Sequence, residues 1–159
     1  MRILELLHKI SERSDCTLLP PTGLPTLPND YLLPQDVIEF YNVAGGAQLF
    51  SGKDYNFDIV QPNEFVRANP VIVSEECEFD KSYHWFIIAK EPPQYITIDL
   101  TPDNLGRCYD SFWDRHGLRG DCAIVAKTFT DLVECLLYSE GNSLFWLEDS
   151  FIYLGDAYD

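Results

Sequence analysis

Cys108 and Cys122 flank the run Asp114-Arg115-His116, a combination of residue types that could carry thiol chemistry, with an imidazole as base and a thiolate as nucleophile. A reactive cysteine also needs a cue to a lowered pKa, such as a helix start. Both of these sit inside apolar, strand-like patterns and read as core residues. His84 precedes a strand pattern and has no His or Cys at ligand spacing, while His8 falls on a helix surface. Carboxylates are abundant, with 26 Asp plus Glu, but acid–base catalysis needs two in a cleft with pKa values pushed apart, and no spacing singles out such a pair. Cys16, Cys77, Cys108, Cys122 and Cys135 form no CxxC pair and are odd in number, which fits free thiols better than a disulfide framework or a zinc site. No Walker, Rossmann, HExxH or EF-hand pattern occurs, so neither cofactor nor metal is expected. The residues point away from an enzyme.

Charge is the most informative property. Eleven Lys plus Arg against 26 Asp plus Glu give a net charge of −15, and the cations are scattered singly along the chain. Such a balance repels nucleic acid and anionic membranes, and speeds encounter with basic partners. The densest acidic segment is 74–82, where Glu75, Glu76, Glu78 and Asp80 crowd a stretch of little periodicity that reads as an exposed loop. Asp99 and Asp103 make a second candidate patch. A hydrophobic share of 46% with 14% aromatics predicts a single globular domain with a substantial core. The first fifteen residues are too short and too charged for a signal peptide, and no apolar run reaches spanning length, so a soluble, cytoplasmic protein is expected.

The elements that position these groups are organised around residues 33–50. Pro34 suits a helix's first turn, Asp36 favours the same end, and Val37, Phe40, Tyr41 and Ala44 recur at helical spacing, which predicts a helix over 33–44. Gly45-Gly46 reads as its stop, with glycine reaching the left-handed conformation after the last turn, and Leu49-Phe50 resumes apolar chain beyond it as a strand. The helix precedes these glycines, so they do not form a phosphate-cradling loop.

Before this unit, Ile3, Leu4, Leu7 and Ile10 predict a helix within 1–15. The prolines of 18–32 predict an extended connector pinned by Leu18, Leu19, Leu24 and Leu27. After it come a strand around Tyr55, Phe57 and Ile59, a short helix at 61–66 and a brief strand at 71–73. A hairpin of 85–89 with 95–100 follows, its turn at 90–93, and then strands over 107–113 and 122–126 complete a meander. Thr128 caps a last helix whose apolar face is Phe129, Leu132, Val133, Leu136 and Leu137. The main body thus runs over 33–137, and the apolar tail 144–159 adds a strand or cap. The fold class is α+β, a largely antiparallel twisted sheet of about five or six strands with helices mainly on one side.

The run LP-x-D-x-x-x-FY-x-x-x-GG-x-x-LF (Leu33, Pro34, Asp36, Phe40, Tyr41, Gly45, Gly46, Leu49, Phe50), preceded by Gly-Leu-Pro-x-Leu-Pro at 23–28, resembles the SUKH superfamily. This group includes the yeast cell-wall-assembly-regulator domain and many bacterial immunity proteins. The resemblance continues through 85–100 and 127–132. It implies the same α+β architecture and a non-enzymatic immunity protein that binds a secreted polymorphic toxin, often a nuclease. The acidity fits independently, because a protein that must bind polyanions is basic and an acidic inhibitor can mimic its ligand. The alternative is a housekeeping interaction module of the cell-wall-regulator type, and a toxin gene immediately upstream would separate the two.

Overall fold

The computed structural model describes residues 1–28 and 30–159; Asn29, within the expected connector, lies outside the described residues. Helix α1 (Ile3–Ser11) buries Ile3, Leu6, Leu7 and Ile10. Leu7 is buried as expected, but Leu6 is buried in place of Leu4: at 100° per residue Leu6 falls about 40° from Ile10, whereas Leu4 stands about 60° outside Leu7 at the other edge of the covered face. Strand β1 (Thr17–Leu18) follows, and then the connector. Leu18 and Leu27 pack against the core as expected, whereas Leu24 is largely exposed.

Helix α2 (Gln35–Val43) buries Val37, Phe40 and Tyr41, with Pro34 just ahead of its first turn. Its end differs from the sequence reading. Ala44 leaves the helix in extended conformation, φ −137° and ψ 151°, so no left-handed glycine terminates it. The glycines serve a close approach of two chain segments. Gly45 N–H donates to Leu19 O at 2.9 Å and Leu19 N–H to Gly46 O at 3.0 Å. A Cβ on Gly45 would stand 2.2 Å from Pro20 O, and Gly46 has φ +131°. The proline-rich connector crosses the helix exit so tightly that a side chain at 45 has no space.

Strands β2 (Ala47–Leu49), β3 (Phe57–Ile59), β4 (Trp85–Glu91), β5 (Gln94–Asp99), β6 (Cys108–Asp110) and β7 (Ile124–Ala126) continue from β1. Among the described residues they form one sheet of seven antiparallel strands in sequence order. That is one or two strands more than expected; β1 falls in the segment read as connector, whereas β2 is the strand expected beyond the two glycines. Lys90 and Glu91 belong to β4, paired with Tyr95 and Gln94, so the hairpin turn is Pro92–Pro93 alone, with a cis bond. Residues 61–66 supply only the 3₁₀ turn Pro62–Glu64. The strand expected at 71–73 is instead part of helix α3 (Ala68–Ile72). Pro70 lacks a ladder N–H and is tolerated in a first turn, and Val73 N–H closes the helix on Asn69 O at 2.9 Å.

Helix α4 (Phe129–Ser139) is capped by Thr128, whose Oγ1 accepts from Asp131 N–H at 3.0 Å. Asp36 of α2 adds to that start: its Oδ2 accepts from Thr130 N–H and Thr130 Oγ1, each at 2.8 Å. A carboxylate thereby meets the positive end of a neighbouring helix as well as its own.

Helices α1, α2 and α4 pack on one another and on one sheet face in the main core, with Phe40, Tyr41, Phe86, Ile98, Val125 and Phe129 among its members. Alternation along the strands sends Trp85, Tyr109 and Ile124 to the opposite face. There they meet Cys122, Ala157 and Tyr158 in a second, smaller core. The tail has no strand of its own among the described residues: its 3₁₀ turn Phe145–Leu147 packs Phe145 and Trp146 into the main core, and its last residues cap the second core, with a bridge from Asp156 to Ala123.

All five cysteines are free thiols. Thiol titration of denatured, unreduced protein is expected to count all five, with no stoichiometric zinc in metal analysis. A protected pair or bound zinc would contradict this.

Candidate functional site

The acidic loop leaves α3 and returns through the 3₁₀ turn Lys81–His84. Ser74 at φ 61° and Cys77 at φ 52° fold it back on itself. Glu75, Glu76 and Glu78 are exposed, and between Glu78 and Asp80 the ring of Phe79 is 98% exposed. The Cys77 thiol is pushed up, first by partial burial and then by Glu75, Asp80 and Glu76 around it.

Beneath this tip the loop is held from two directions. Asn69, buried on α3, donates through Nδ2 to Glu76 O at 3.0 Å and to Ser82 Oγ at 3.1 Å. Its Oδ1 faces His116 Nε2 at 2.6 Å. An amide oxygen only accepts, so His116 carries its proton on Nε2. Burial lowers the His116 pKa to about 4, with Asp80 opposing that shift; the ring is neutral at pH 7. From the other side, Asp80 Oδ2 accepts from Ser82 N–H at 3.0 Å and from Tyr158 OH at 2.6 Å. Burial works against the Asp80 carboxylate, but the hydrogen bonds from Ser82 and Tyr158 outweigh it and hold its pKa below the ordinary value. Asp80 is therefore an anchor of the loop, while Glu75, Glu76 and Glu78 stand exposed at its tip.

The second acidic patch divides in the same way. Asp99 is only 3% exposed; it accepts from Tyr109 OH and from Thr101 N–H and Oγ1. Pairing with Trp85 directs it to the second core, so it presents no charge to a partner, contrary to the sequence expectation. Asp103, on the 3₁₀ turn Pro102–Asn104, is exposed. Leu100 N–H donates to His84 O at 3.1 Å, so the turns that follow the acidic loop and that carry Asp103 sit at one end of the β4–β5 pair.

No nucleophile forms from Cys108, Cys122 and His116. Burial pushes the Cys122 thiol up to about 12, its sulfur donating to Arg115 O at 3.1 Å, and Cys108 is raised well above its ordinary value by the same cause. The protonated His116 nitrogen is committed to Asn69. Leu33, Pro34, Phe40, Tyr41, Gly45 and Gly46 hold α2 and the connector in place. Among the described residues, no cluster of His, Cys, Asp or Glu could hold a metal ion, and no helix is long and apolar enough to cross a membrane.

Sequence reasoning missed the cavity at that same sheet end. About 570 Å³ in volume, it is lined by Leu100, Pro102 and Leu105 along its walls, with Asp30, Tyr31, Arg67, His84 and Thr101 as its polar residues. These residues come from four separate segments, and no periodicity or spacing links them; only the meander brings them together.

A sequence model described as the SMI1 / KNR4 family (SUKH-1) matches residues 29–135. The chain is also 46% identical over 160 residues to Immunity protein YokJ of Bacillus subtilis (strain 168), an alignment covering 100% of this chain and 97% of that protein.

Proposed function

The chain belongs to the SMI1/KNR4 family, SUKH-1, and from that premise we propose that it is a non-enzymatic immunity protein that binds and neutralises a secreted polymorphic toxin of nuclease type. The observation that carries this reading is the end-to-end similarity to a protein named for immunity. The net charge of −15 supports a basic partner, as a nuclease must be to hold a polyanion. The contact surface we assign is the acidic loop, with Glu75, Glu76 and Glu78 as steering charges, Phe79 as the apolar anchor, and Asp103 nearby on the same sheet end. An exposed ring on a loop pinned from beneath by Asn69, Asp80 and Tyr158 loses little entropy on docking, and aromatic side chains that fill a partner's pocket dominate interface energy.

The toxin encoded beside this protein's gene provides the test. Neutralising the three glutamates together, as Glu75→Gln, Glu76→Gln and Glu78→Gln, is expected to slow association several-fold at low salt and much less at high salt, leaving stability unchanged. Phe79→Ala is expected to act on dissociation instead, by about tenfold or more. Equal low-salt association rates for the triple variant and the parent would remove the loop from the interface. Failure of the parent to bind that toxin or protect cells from it would count against immunity itself and favour a scaffolding role.

A further inference from the structure

Arg67 is a cation held in position without a carboxylate. Among the described residues no Asp or Glu forms an ion pair with it within 4.0 Å, although the chain carries 26 of them. Neutral groups orient it instead. Nε donates to Tyr83 O at 3.2 Å, Nη2 donates to Tyr31 OH at 3.0 Å, and the guanidinium lies 4.1 Å from the centroid of the Tyr83 ring. Two of its five N–H groups are thereby used, and the other three have no acceptor among the described residues. The Tyr31 hydroxyl, accepting from Arg67, lies 2.7 Å from His84 Nδ1. Donation to that nitrogen leaves the proton of a neutral His84 ring on Nε2, a further unused donor. Both side chains line the cavity of about 570 Å³ whose walls are Leu100, Pro102 and Leu105, a size ordinary for a small-molecule site.

We propose that this cavity binds an apolar monocarboxylate: a ring or short hydrocarbon body bearing one carboxylate. A guanidinium with its plane fixed offers a planar fork that matches a carboxylate on two N–H groups, and the apolar walls take the body. One negative charge is the limit. A single fixed cation faces the ligand, Asp30 also lines the cavity, and the protein's own field is strongly negative, so a dianionic phosphate is opposed. The site asks nothing of a toxin and stands or falls separately from the immunity reading.

The test uses the full chain, ¹⁵N-labelled and titrated with 3-phenylpropionate, with amide shifts as the readout. Perturbations are expected to centre on residues around Tyr31, Arg67, His84 and Leu105. The uncharged 3-phenylpropanamide is expected to bind roughly tenfold or more weakly, having lost a charge-assisted pair, and propionate more weakly for want of an apolar body. Arg67→Gln is expected to abolish the preference for acid over amide, and Arg67→Lys, which keeps the charge but not the fork, to reduce it. If Arg67→Gln does not fold, the acid-to-amide comparison on the parent decides alone. The proposal is overturned by absence of shifts at the cavity at millimolar ligand, by equal affinity for acid and amide, or by tighter binding of phenyl phosphate than of the carboxylate.

Discussion

Phe40→Ala is expected to lower the unfolding free energy by about 3 to 5 kcal/mol, the range for truncating a buried aromatic ring. Phe40 is fully buried, and its ring meets Tyr41 edge-on at 5.0 Å and Phe129 of α4 at 5.3 Å. The substitution therefore opens a cavity between two helices that also share the Asp36–Thr130 hydrogen bonds. Those contacts prevent the helices from simply closing the gap, which places the cost in the upper part of the range. Urea unfolding is the check: the midpoint should fall while the slope stays near the parent's. A midpoint unchanged within error would mean that α2 does not organise the core in the way its packing indicates.

His116 makes the second large effect, one that depends on pH. Its folded pKa of about 4 lies below the ordinary value of 6.5. Between these values the unfolded chain binds the proton more readily than the native one, so the native state loses ground as pH falls. The stability associated with the neutral ring is fully present above about pH 6.5 and is lost progressively down to about pH 4. The shift corresponds to a total of about 3 kcal/mol. Asp80, whose pKa is depressed, contributes in a lower window, below the ordinary carboxylate value. Unfolding free energies measured from pH 7 to pH 4 should thus fall by about this amount in the parent. In His116→Gln, which keeps an amide donor near Asn69 but does not titrate, the decline over that interval should shrink by most of it. An equal decline in the two proteins would show that His116 is not the group responsible.

The same histidine shows why burial is hard to read from a chain. In the sequence it sits in the polar run 114–120 and suggests a catalytic base; in the fold it is part of a clamp. The reason is a contact across 47 positions, from His116 to Asn69, which no local pattern encodes. Asp99 is the converse case. It closes a strand in an ordinary polar position, and only the register that sets it opposite Trp85, in the core that the tail closes with Tyr158, turns it inward.

What the sequence determined by itself follows from properties that act over a few residues. Helical spacing located α1, α2 and α4, and Thr128 marked the start of the last of these with the same oxygen that caps it. Alternating apolar and β-branched runs located the β4–β5 hairpin and the meander around it, and composition set the single globular body and its charge of −15. The residues of the α2 unit also carried the family. The tertiary structure alone decided whatever depends on which segments meet. It made Gly45 a crossing point for the connector, where a Cβ would strike Pro20. It wound 71–72 into the end of a helix behind Pro70 and split the acidic residues into anchors, Asp80 and Asp99, and exposed charges, Glu75, Glu76, Glu78 and Asp103. It also gathered Tyr31, Arg67 and His84 around one cavity. Propensity and periodicity are local and survive in the order of residues, whereas desolvation, close approach and pKa depend on neighbours that only the folded chain supplies.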